Sequence, residues 1–216
     1  MKKFNFILLD WDGCMANTAE LWLSVYKKIY KGYGLEPSDK EIVEKGIGKW
    51  GGGATAFGIP HVKEFENKLR EEYKRQLHNL KLHEHVKEVM TILKNRGKKI
   101  AVVTTAEKTM VEPSLIKFNL SELIDVFLGR EDVICLKPDP EIVNKAIERM
   151  NGVKEESIIV GDNDKDVLAG KNAGIVTVLY YPVVNELVYT MEFIKNTKPD
   201  YLIKDFRELV TIVMGI

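Results

Sequence analysis

Short, almost entirely apolar segments alternate with amphipathic segments along most of the chain, and this alternation constrains the fold more than any other feature. Apolar runs such as "SIIVG" and "IVTVLYY" have the composition of strands that are buried on both faces. The segments between them, such as "DPEIVNKAIERM", place apolar residues at helical spacing. The pattern predicts an α/β fold, in which a Rossmann-like parallel sheet carries helices on both faces.

The segment from residue 19 to about residue 80 breaks this alternation. It contains no convincing strand, and the stretches "AELWLSVYKKIYKGYG" and "HVKEFENKLREEYKRQLHNL" have the spacing of amphipathic helices. The segment is too long for a simple crossover connection. We therefore predict two domains, an α/β core of residues 1–16 and 84–216 and an inserted all-α cap of residues 17–83.

Composition excludes several classes of partner. The chain has 216 residues, and its 32 Lys and Arg residues balance 32 Asp and Glu residues, so charge gives no argument for nucleic-acid or membrane binding. The apolar runs are too short to span a membrane, and the N-terminal run is too short for a signal peptide. The two cysteines form neither a metal-type cluster nor a disulfide framework. We expect a cytoplasmic protein that acts as a monomer or homodimer and binds neither nucleic acid nor a membrane.

Polar residues collect where the predicted apolar strands end, and "LLDWDGCMANT" is the clearest example. In open α/β sheets, ligands bind beyond the carboxyl ends of the strands, so residues from separate strand ends meet at one edge. Four segments end in this way. The residues that they bring to the edge are Asp10, Asp12, Thr104, Thr105, Lys137, Asp162 and Asp166.

This set of side chains predicts a phosphate site with a divalent metal. Carboxylate oxygens without a Cys or His cluster suit a hard cation, and Mg²⁺ is the usual choice beside phosphate. An ammonium and a hydroxyl suit phosphate oxygens, and an aspartate can attack phosphorus to form an aspartyl-phosphate. We expect a turn at Gly13 to end the strand and to bring the Asp12 side chain toward the site.

Four motifs in order resemble those of the haloacid dehalogenase superfamily of phosphohydrolases. "DWDGCMANT" is similar to the DxDGxxxxT opening motif, Thr104 ends the second strand motif, "KPDP" supplies the lysine motif, and "VGDNDKDVLAGKNAG" is similar to the GDxxxD motif. About 85 residues separate the first two motifs. This spacing resembles that of phosphoglycolate phosphatase-like and β-phosphoglucomutase-like members, which carry a helical cap in the first cap position.

The resemblance implies roles for the four aspartates. Asp10 would be the nucleophile and a metal ligand, and Asp12 the general acid/base, with its backbone carbonyl on the metal. Asp162 would ligate Mg²⁺, and Asp166 would hold a metal-bound water or Lys137. The alternative for Asp166 is favourable charge at a helix N-terminus, which is the role that we assign to Asp164.

The resemblance also implies phosphate-binding roles for three residues. Thr104 would bind the transferring phosphoryl group, with Thr105 a weaker candidate, and Lys137 would pair with Asp10 and the phosphate. The alternatives are a threonine that caps the next helix and a surface lysine that precedes Pro138.

In the predicted cap, "EKGIGKWGGGA" resembles the substrate loop of the phosphosugar mutase branch. Lys49 could contact an anionic part of the substrate there, and the alternative is a glycine-rich loop between helices. We expect Cys14 to be a packed, inert thiol, and His83 and His85 to be boundary residues rather than ligands.

The function expected from these residues is Mg²⁺-dependent hydrolysis of a small phosphorylated metabolite through an aspartyl-phosphate. The alternatives are a phosphosugar mutase, which usually carries Glu-Asp where this chain has Gly161-Asp162, and a non-catalytic protein that binds a phospho-ligand. Asp12 argues against a 2-haloacid dehalogenase, and the chain length and motif order argue against a receiver-like signalling domain. Phosphoglycolate, a sugar phosphate, a nucleotide and pyrophosphate all remain open as substrates.

Overall fold

A computed structural model describes residues 3–47, 49, 51–190, 192 and 196–216, and the chain divides into two compact units. The α/β unit contains Met1–Asn17 and Leu82–Ile216, and the helical unit contains Thr18–Lys81. Among the described residues, no helix is long and apolar enough to cross a membrane.

The α/β unit is built on a six-stranded sheet in which all the neighbouring strands are parallel. Its strands are β1 (Phe6–Leu9), β4 (Lys99–Val103), β5 (Val126–Leu128), β6 (Ser157–Gly161), β7 (Val176–Tyr180) and β8 (Tyr201–Ile203). The strand order is β5-β4-β1-β6-β7-β8, so β1 lies between β4 and β6. Two shorter strands, β2 (Ala16–Asn17) and β3 (Lys81–Leu82), form a second sheet. The predicted fold class is confirmed.

Among the described residues of the α/β unit, five α-helices follow its strands. They are α5 (Val86–Asn95), α6 (Lys108–Lys117), α7 (Glu141–Arg149), α8 (Asp164–Ala173) and α9 (Glu208–Met214). The apolar residues of β6 are buried along the whole strand, and α7 and α8 pack their apolar faces into the same core. Gly170 allows α8 to approach the sheet closely, because an added Cβ would lie 2.5 Å from Ile159 Cγ2. This close packing holds the first turn of α8 near the end of β6.

The helical unit contains α1 (Ala19–Gly32), α2 (Asp39–Lys45), α3 (Gly52–Ala56) and α4 (Val62–Gln76). An aromatic cluster forms its core, in which Trp22 stacks on Tyr73 with ring centroids 4.5 Å apart. A capping box between Ser38 and Glu41 satisfies the backbone donors at the start of α2. The helices therefore arise from the apolar spacing and capping that the sequence displays.

Element ends differ slightly from the pattern. The sequence predicts a strand over residues 4–9, whereas β1 begins at Phe6, because the Phe4 N–H donates to Val213 O rather than joining the strand ladder. The sequence predicts Asp139 as N-cap and Pro140 as the first residue of the next helix, whereas α7 begins at Glu141. The Asp139 carboxylate accepts a hydrogen bond from the Glu141 N–H at 2.9 Å. Such end differences reflect local capping and leave the topology unchanged.

Candidate active site

Asp10 lies directly after the central strand β1. The strand is apolar and pairs with neighbours on both sides, and the Asp10 N–H continues the ladder by donating to Val160 O at 2.9 Å. Asp10 is only 4% exposed. The sheet therefore carries a carboxylate into the interior at its carboxyl edge, where a buried charge needs a partner.

A tight turn at Gly13 follows, as expected. Gly13 has φ +78°, and the N–H groups of Met15 and Ala16 both donate to Trp11 O. An added Cβ at Gly13 would lie 2.0 Å from Asp162 Oδ2, so only glycine fits here. Asp12 is half-buried in this turn and lies near enough for its charge to raise the pKa of Asp10.

Two further carboxylates come from β6 and α8. Asp162 follows Gly161 at the end of β6, and its Oδ1 accepts a hydrogen bond from Asn163 Nδ2 at 2.8 Å. Asp166 lies in the first turn of α8 and is 1% exposed. Asp164 shares that first turn. Asp166 is buried against the other carboxylates, so favourable charge at the helix N-terminus does not explain its position. Asp164 in the same turn is not buried in this way.

Lys137 joins these carboxylates. Its buried Nζ donates to Asp10 Oδ1 at 2.6 Å, to Asp166 Oδ1 at 2.5 Å and to Val103 O at 3.1 Å. The prediction that Lys137 directly follows a strand is wrong, because the residue lies in the loop between β5 and α7. Its three acceptors satisfy the three donors of an ammonium group.

The two threonines follow β4. The Thr104 side chain is buried, and its hydroxyl oxygen accepts a hydrogen bond from the Ala106 N–H at 3.1 Å, so its O–H remains able to donate. Thr105 is half-buried in the following bend. The N-cap of α6 is Glu107, so Thr104 does not cap that helix.

The electrostatics reflect this crowding of like charges. Burial and the Asp166 carboxylate raise the pKa of Asp10 to about 8, against the opposing effect of Lys137. Burial, Asp10 and Asp166 together raise the pKa of Asp162 well above its ordinary value. Burial alone would lower the pKa of Lys137, but Asp10 and Asp166 raise it above the ordinary value for lysine.

The carboxylates fit a hard divalent cation. One oxygen each from Asp10, Asp162 and Asp166 lies within 4.8 Å of the other two. With all groups ionised, these carboxylates and Lys137 leave two negative charges in excess. Asp166 Oδ2 is buried and has no hydrogen-bond partner among the described residues. An all-oxygen donor set with this excess charge suits Mg²⁺.

Sequence reasoning missed two asparagines at this edge. Asn163 caps α8 by accepting from the Lys165 N–H at 2.9 Å while its amide donates to Asp162, and its position before the helix was a usable signal. Asn185 lies in a short 3₁₀ helix after β7, and its Nδ2 donates to Gly13 O at 3.1 Å. No motif or periodicity marks Asn185.

The remaining candidates are Lys49, Cys14 and two histidines. Lys49 is exposed in the helical unit, and its Nζ donates to Glu44 O at 2.5 Å. The Cys14 thiol is buried and donates to Val160 O at 3.6 Å, and burial raises its pKa well above the ordinary value, as expected for an inert thiol. His83 is buried and packs edge-on against Tyr180, and His85 precedes α5 and contacts Glu88.

A parallel sheet with buried polar groups at its carboxyl edge is typical of α/β enzymes, which bind their ligands there. Residues 7–180 match the family of haloacid dehalogenase-like hydrolases. The chain belongs to this family, and the predicted resemblance is confirmed.

Two sequence relatives match over nearly their whole length. A protein named pyrophosphatase PpaX from Halalkalibacterium halodurans is 30% identical, over 98% of this chain and 97% of the relative. A protein of the same name from Bacillus mycoides is also 30% identical, over 99% of both chains. Both matches therefore extend over nearly the whole of each chain.

Two solved structures share the fold. A protein described as a predicted phosphoglycolate phosphatase from Haemophilus somnus 129PT has a TM-score of 0.85 and 24% identity, over 99% of this chain and 100% of that one. CbbY from Rhodobacter sphaeroides, in complex with phosphate, has a TM-score of 0.81 and 20% identity, over 99% and 100%. At these identities the likeness concerns the fold alone.

Proposed function

We propose that the protein is a Mg²⁺-dependent phosphatase that transfers a phosphoryl group to Asp10 and then to water. The observation that carries the proposal is the buried Asp10 carboxylate, held by Lys137 beside Asp162 and Asp166. Such a carboxylate has a fixed orientation, because a side chain under 5% exposed has few rotamers open to it. A positioned nucleophile of this kind suits covalent catalysis.

Three carboxylates would hold the cation, namely Asp10, Asp162 and Asp166, and we retain the prediction that the backbone carbonyl of Asp12 joins them. When bound, Mg²⁺ supplies charge stabilisation for the phosphoryl oxygens. Lys137 adds a second fixed positive charge from within the protein, and the Thr104 hydroxyl keeps a donor for a phosphoryl oxygen. Thr105 stays a weaker predicted contact.

We assign both proton transfers of the reaction to Asp12. In the first step the Asp10 carboxylate attacks phosphorus, the bond to the leaving group breaks, and Asp12 gives its proton to the departing oxygen. In the second step Asp12 takes a proton from the water that attacks the aspartyl-phosphate, which frees phosphate and restores Asp10. Half-burial of Asp12 in the Gly13 turn allows it both to exchange protons with solvent and to lie near Asp10.

The substrate is a small phosphorylated compound, and pyrophosphate is the first candidate because the relatives matched over their whole length are named pyrophosphatases. Lys49 stays a predicted contact for a non-reacting anionic part of the substrate. That the protein acts as a monomer or homodimer stays a prediction.

Gly161 disfavours the mutase alternative, because members of that branch usually carry glutamate at this position. An added Cβ there would lie 2.2 Å from Asp166 Cβ, so a glutamate at this position requires Asp166 to leave its place beside Lys137. The present arrangement of Asp166 therefore depends on glycine in the fourth motif, as in the phosphatase pattern.

The test is phosphate release from pyrophosphate, phosphoglycolate, sugar phosphates and nucleotides, with and without Mg²⁺. Asp10→Asn is the inactive variant, and Asp39→Asn changes an exposed aspartate of α2 as the matched control. We expect Mg²⁺-dependent release that is lost only in Asp10→Asn. Release unaffected by Asp10→Asn would overturn the proposal, and isomerisation of a sugar phosphate without release would favour the mutase.

A further inference from the structure

The short 3₁₀ helix Val183–Leu187 buries a single residue, and that residue is polar. Asn185 is 1% exposed, whereas Val183 and Leu187 on the same helix are 76% and 52% exposed. Apolar side chains ordinarily fill such interior positions, and a buried amide is retained where its hydrogen bonds are needed. The helix therefore buries Asn185 and leaves the apolar side chains of Val183 and Leu187 exposed.

The amide of Asn185 joins two segments of the site. Its Nδ2 donates to Gly13 O at 3.1 Å and lies 3.5 Å from Asp162 Oδ2, at the limit of a hydrogen bond. Gly13 belongs to the turn that carries Asp12, and Asp162 ends β6. One side chain therefore connects the turn after β1 with the end of the neighbouring strand.

Both oxygens of the Asp162 carboxylate are then restrained by asparagine amides. Asn163 Nδ2 lies 2.8 Å from Oδ1, and Asn185 Nδ2 lies 3.5 Å from Oδ2. Donors on each oxygen limit rotation of the carboxylate plane. A ligand whose plane is already set binds a cation with strict geometry, such as Mg²⁺, at a smaller entropic cost.

We propose that Asn185 is a positioning residue of the metal site, which holds Asp162 and the Gly13 turn in the geometry that binds the cation. This inference rests on the proposed function, since it assumes that Asp162 is a metal ligand. Groups that orient metal ligands commonly contribute a factor of about 10–100 to metal affinity.

The acceptor end of the same amide supports this reading. Asn185 Oδ1 is buried and has no hydrogen-bond partner among the described residues. A buried acceptor without a donor costs about 1–3 kcal/mol, so packing alone would favour an apolar side chain of the same size. The amide is therefore retained for its donor, not for its volume.

The test is Mg²⁺ binding measured by titration calorimetry on the full chain without substrate. Asn185→Leu keeps the volume and removes the donor, and Asn185→Ala is the second variant in case the first does not fold. Asn144→Leu is the matched control, because Asn144 also has a buried Oδ1 without a described partner but lies on α7. We expect about a 10-fold or larger rise in the Mg²⁺ dissociation constant for either Asn185 variant and none for Asn144→Leu.

A second readout separates positioning from a merely structural role. Phosphate release is measured against Mg²⁺ concentration, and we expect saturating Mg²⁺ to restore kcat of the Asn185 variants to near the wild-type value. An unchanged dissociation constant in a folded Asn185 variant overturns this inference and leaves the proposed function intact. If the wild-type protein itself binds no Mg²⁺, the proposed function fails, and the inference fails with it.

Discussion

The carboxyl edge of the sheet and the loop around Lys49 both carry charged residues, but they hold them in opposite ways. At the sheet edge, Lys137 is buried and reaches Asp10 across 127 positions of sequence. In the helical unit, Lys49 is exposed and donates to the carbonyl of Glu44, five positions away. The first lysine is placed by the topology of the whole sheet, and the second by its own loop.

From this difference we expect the sheet edge to carry out the reaction and Lys49 to contribute to substrate affinity. Buried charges at the edge need partners from separate strands, so the sheet topology and the reactive groups constrain one another. An exposed lysine carries no such constraint, since solvent satisfies it. We therefore expect changes at the edge to affect both stability and reaction, and changes in the Lys49 loop to affect only substrate affinity.

The largest effect is expected for Lys137→Ala. The change leaves Asp10 and Asp166 buried without their counter-charge, which costs about 3–5 kcal/mol, and it removes a positive charge from the phosphoryl site. Urea unfolding should show this loss, and Mg²⁺ should recover part of it. Lys27→Ala, which removes an exposed pair with Asp39, is the control and should cost under about 1 kcal/mol. Equal losses of unfolding free energy in the two variants would contradict the difference that we infer between buried and exposed lysines.

Gly161→Ala should disturb the metal site while the fold of the α/β unit is kept. Its Cβ would lie 2.2 Å from Asp166 Cβ, so Asp166 must move away from Lys137. We expect a 10–100-fold loss of Mg²⁺ affinity, roughly the effect of disturbing a group that orients metal ligands. Gly32→Ala is the control, because nothing lies within 4 Å of the added atom. Full Mg²⁺ affinity in Gly161→Ala would show that Asp166 does not belong to the metal site.

The burial of His83 predicts a pH dependence of stability for the α/β unit. Burial lowers the pKa of His83 from 6.5 to about 4, against a smaller opposing effect of the Gly13 backbone. The unfolded chain therefore binds more protons between these values, and the free energy of unfolding should fall by about 2 kcal/mol as the pH falls through this window. His83→Phe keeps the ring against Tyr180 and should remove this contribution from urea unfolding at pH 7 and pH 4.5. The exposed His61→Gln is the control, and a slope that His83→Phe does not change would contradict the expectation.

Lys49→Ala should give the smallest effect. Loss of one exposed charge contact is worth about 1 kcal/mol, so we expect a roughly five-fold rise in KM with kcat unchanged. Lys40→Ala, another exposed lysine of the helical unit, is the control. A loss of kcat in Lys49→Ala would place this lysine in the reaction itself and break the contrast between the two regions.

Most of the fold could be predicted because the strands of a doubly covered sheet are apolar throughout, and "FILL" and "SIIVG" stand out from their neighbours. Strand order was not predicted, because no local signal in the sequence says which strands are neighbours, and the order β5-β4-β1-β6-β7-β8 comes from the structure. The start of β1 and the start of α7 differ from the prediction by one or two residues, since single hydrogen bonds at Phe4 and Asp139 decide them.

Site residues that belong to a sequence motif could be predicted. A site residue that only the tertiary fold places near the others could not. Asp10, Lys137, Asp162 and Asp166 each follow a recognisable segment, and the structure places them together. Asn185 sits in a short 3₁₀ helix without periodicity, and its contact with Gly13 spans 172 positions. Sequence patterns are local, so they do not predict the position of a single asparagine that only tertiary packing brings to the site.

The most direct test of the account is a search for the phosphoryl group on the enzyme. Protein mixed with Mg²⁺ and its best substrate is quenched in acid within the first turnover, and peptide mass spectrometry locates the added phosphoryl group. The account predicts that the group lies on Asp10 and is absent from Asp10→Asn. Wild-type turnover with no phosphoryl group on the protein, or with the group on another residue, would contradict it.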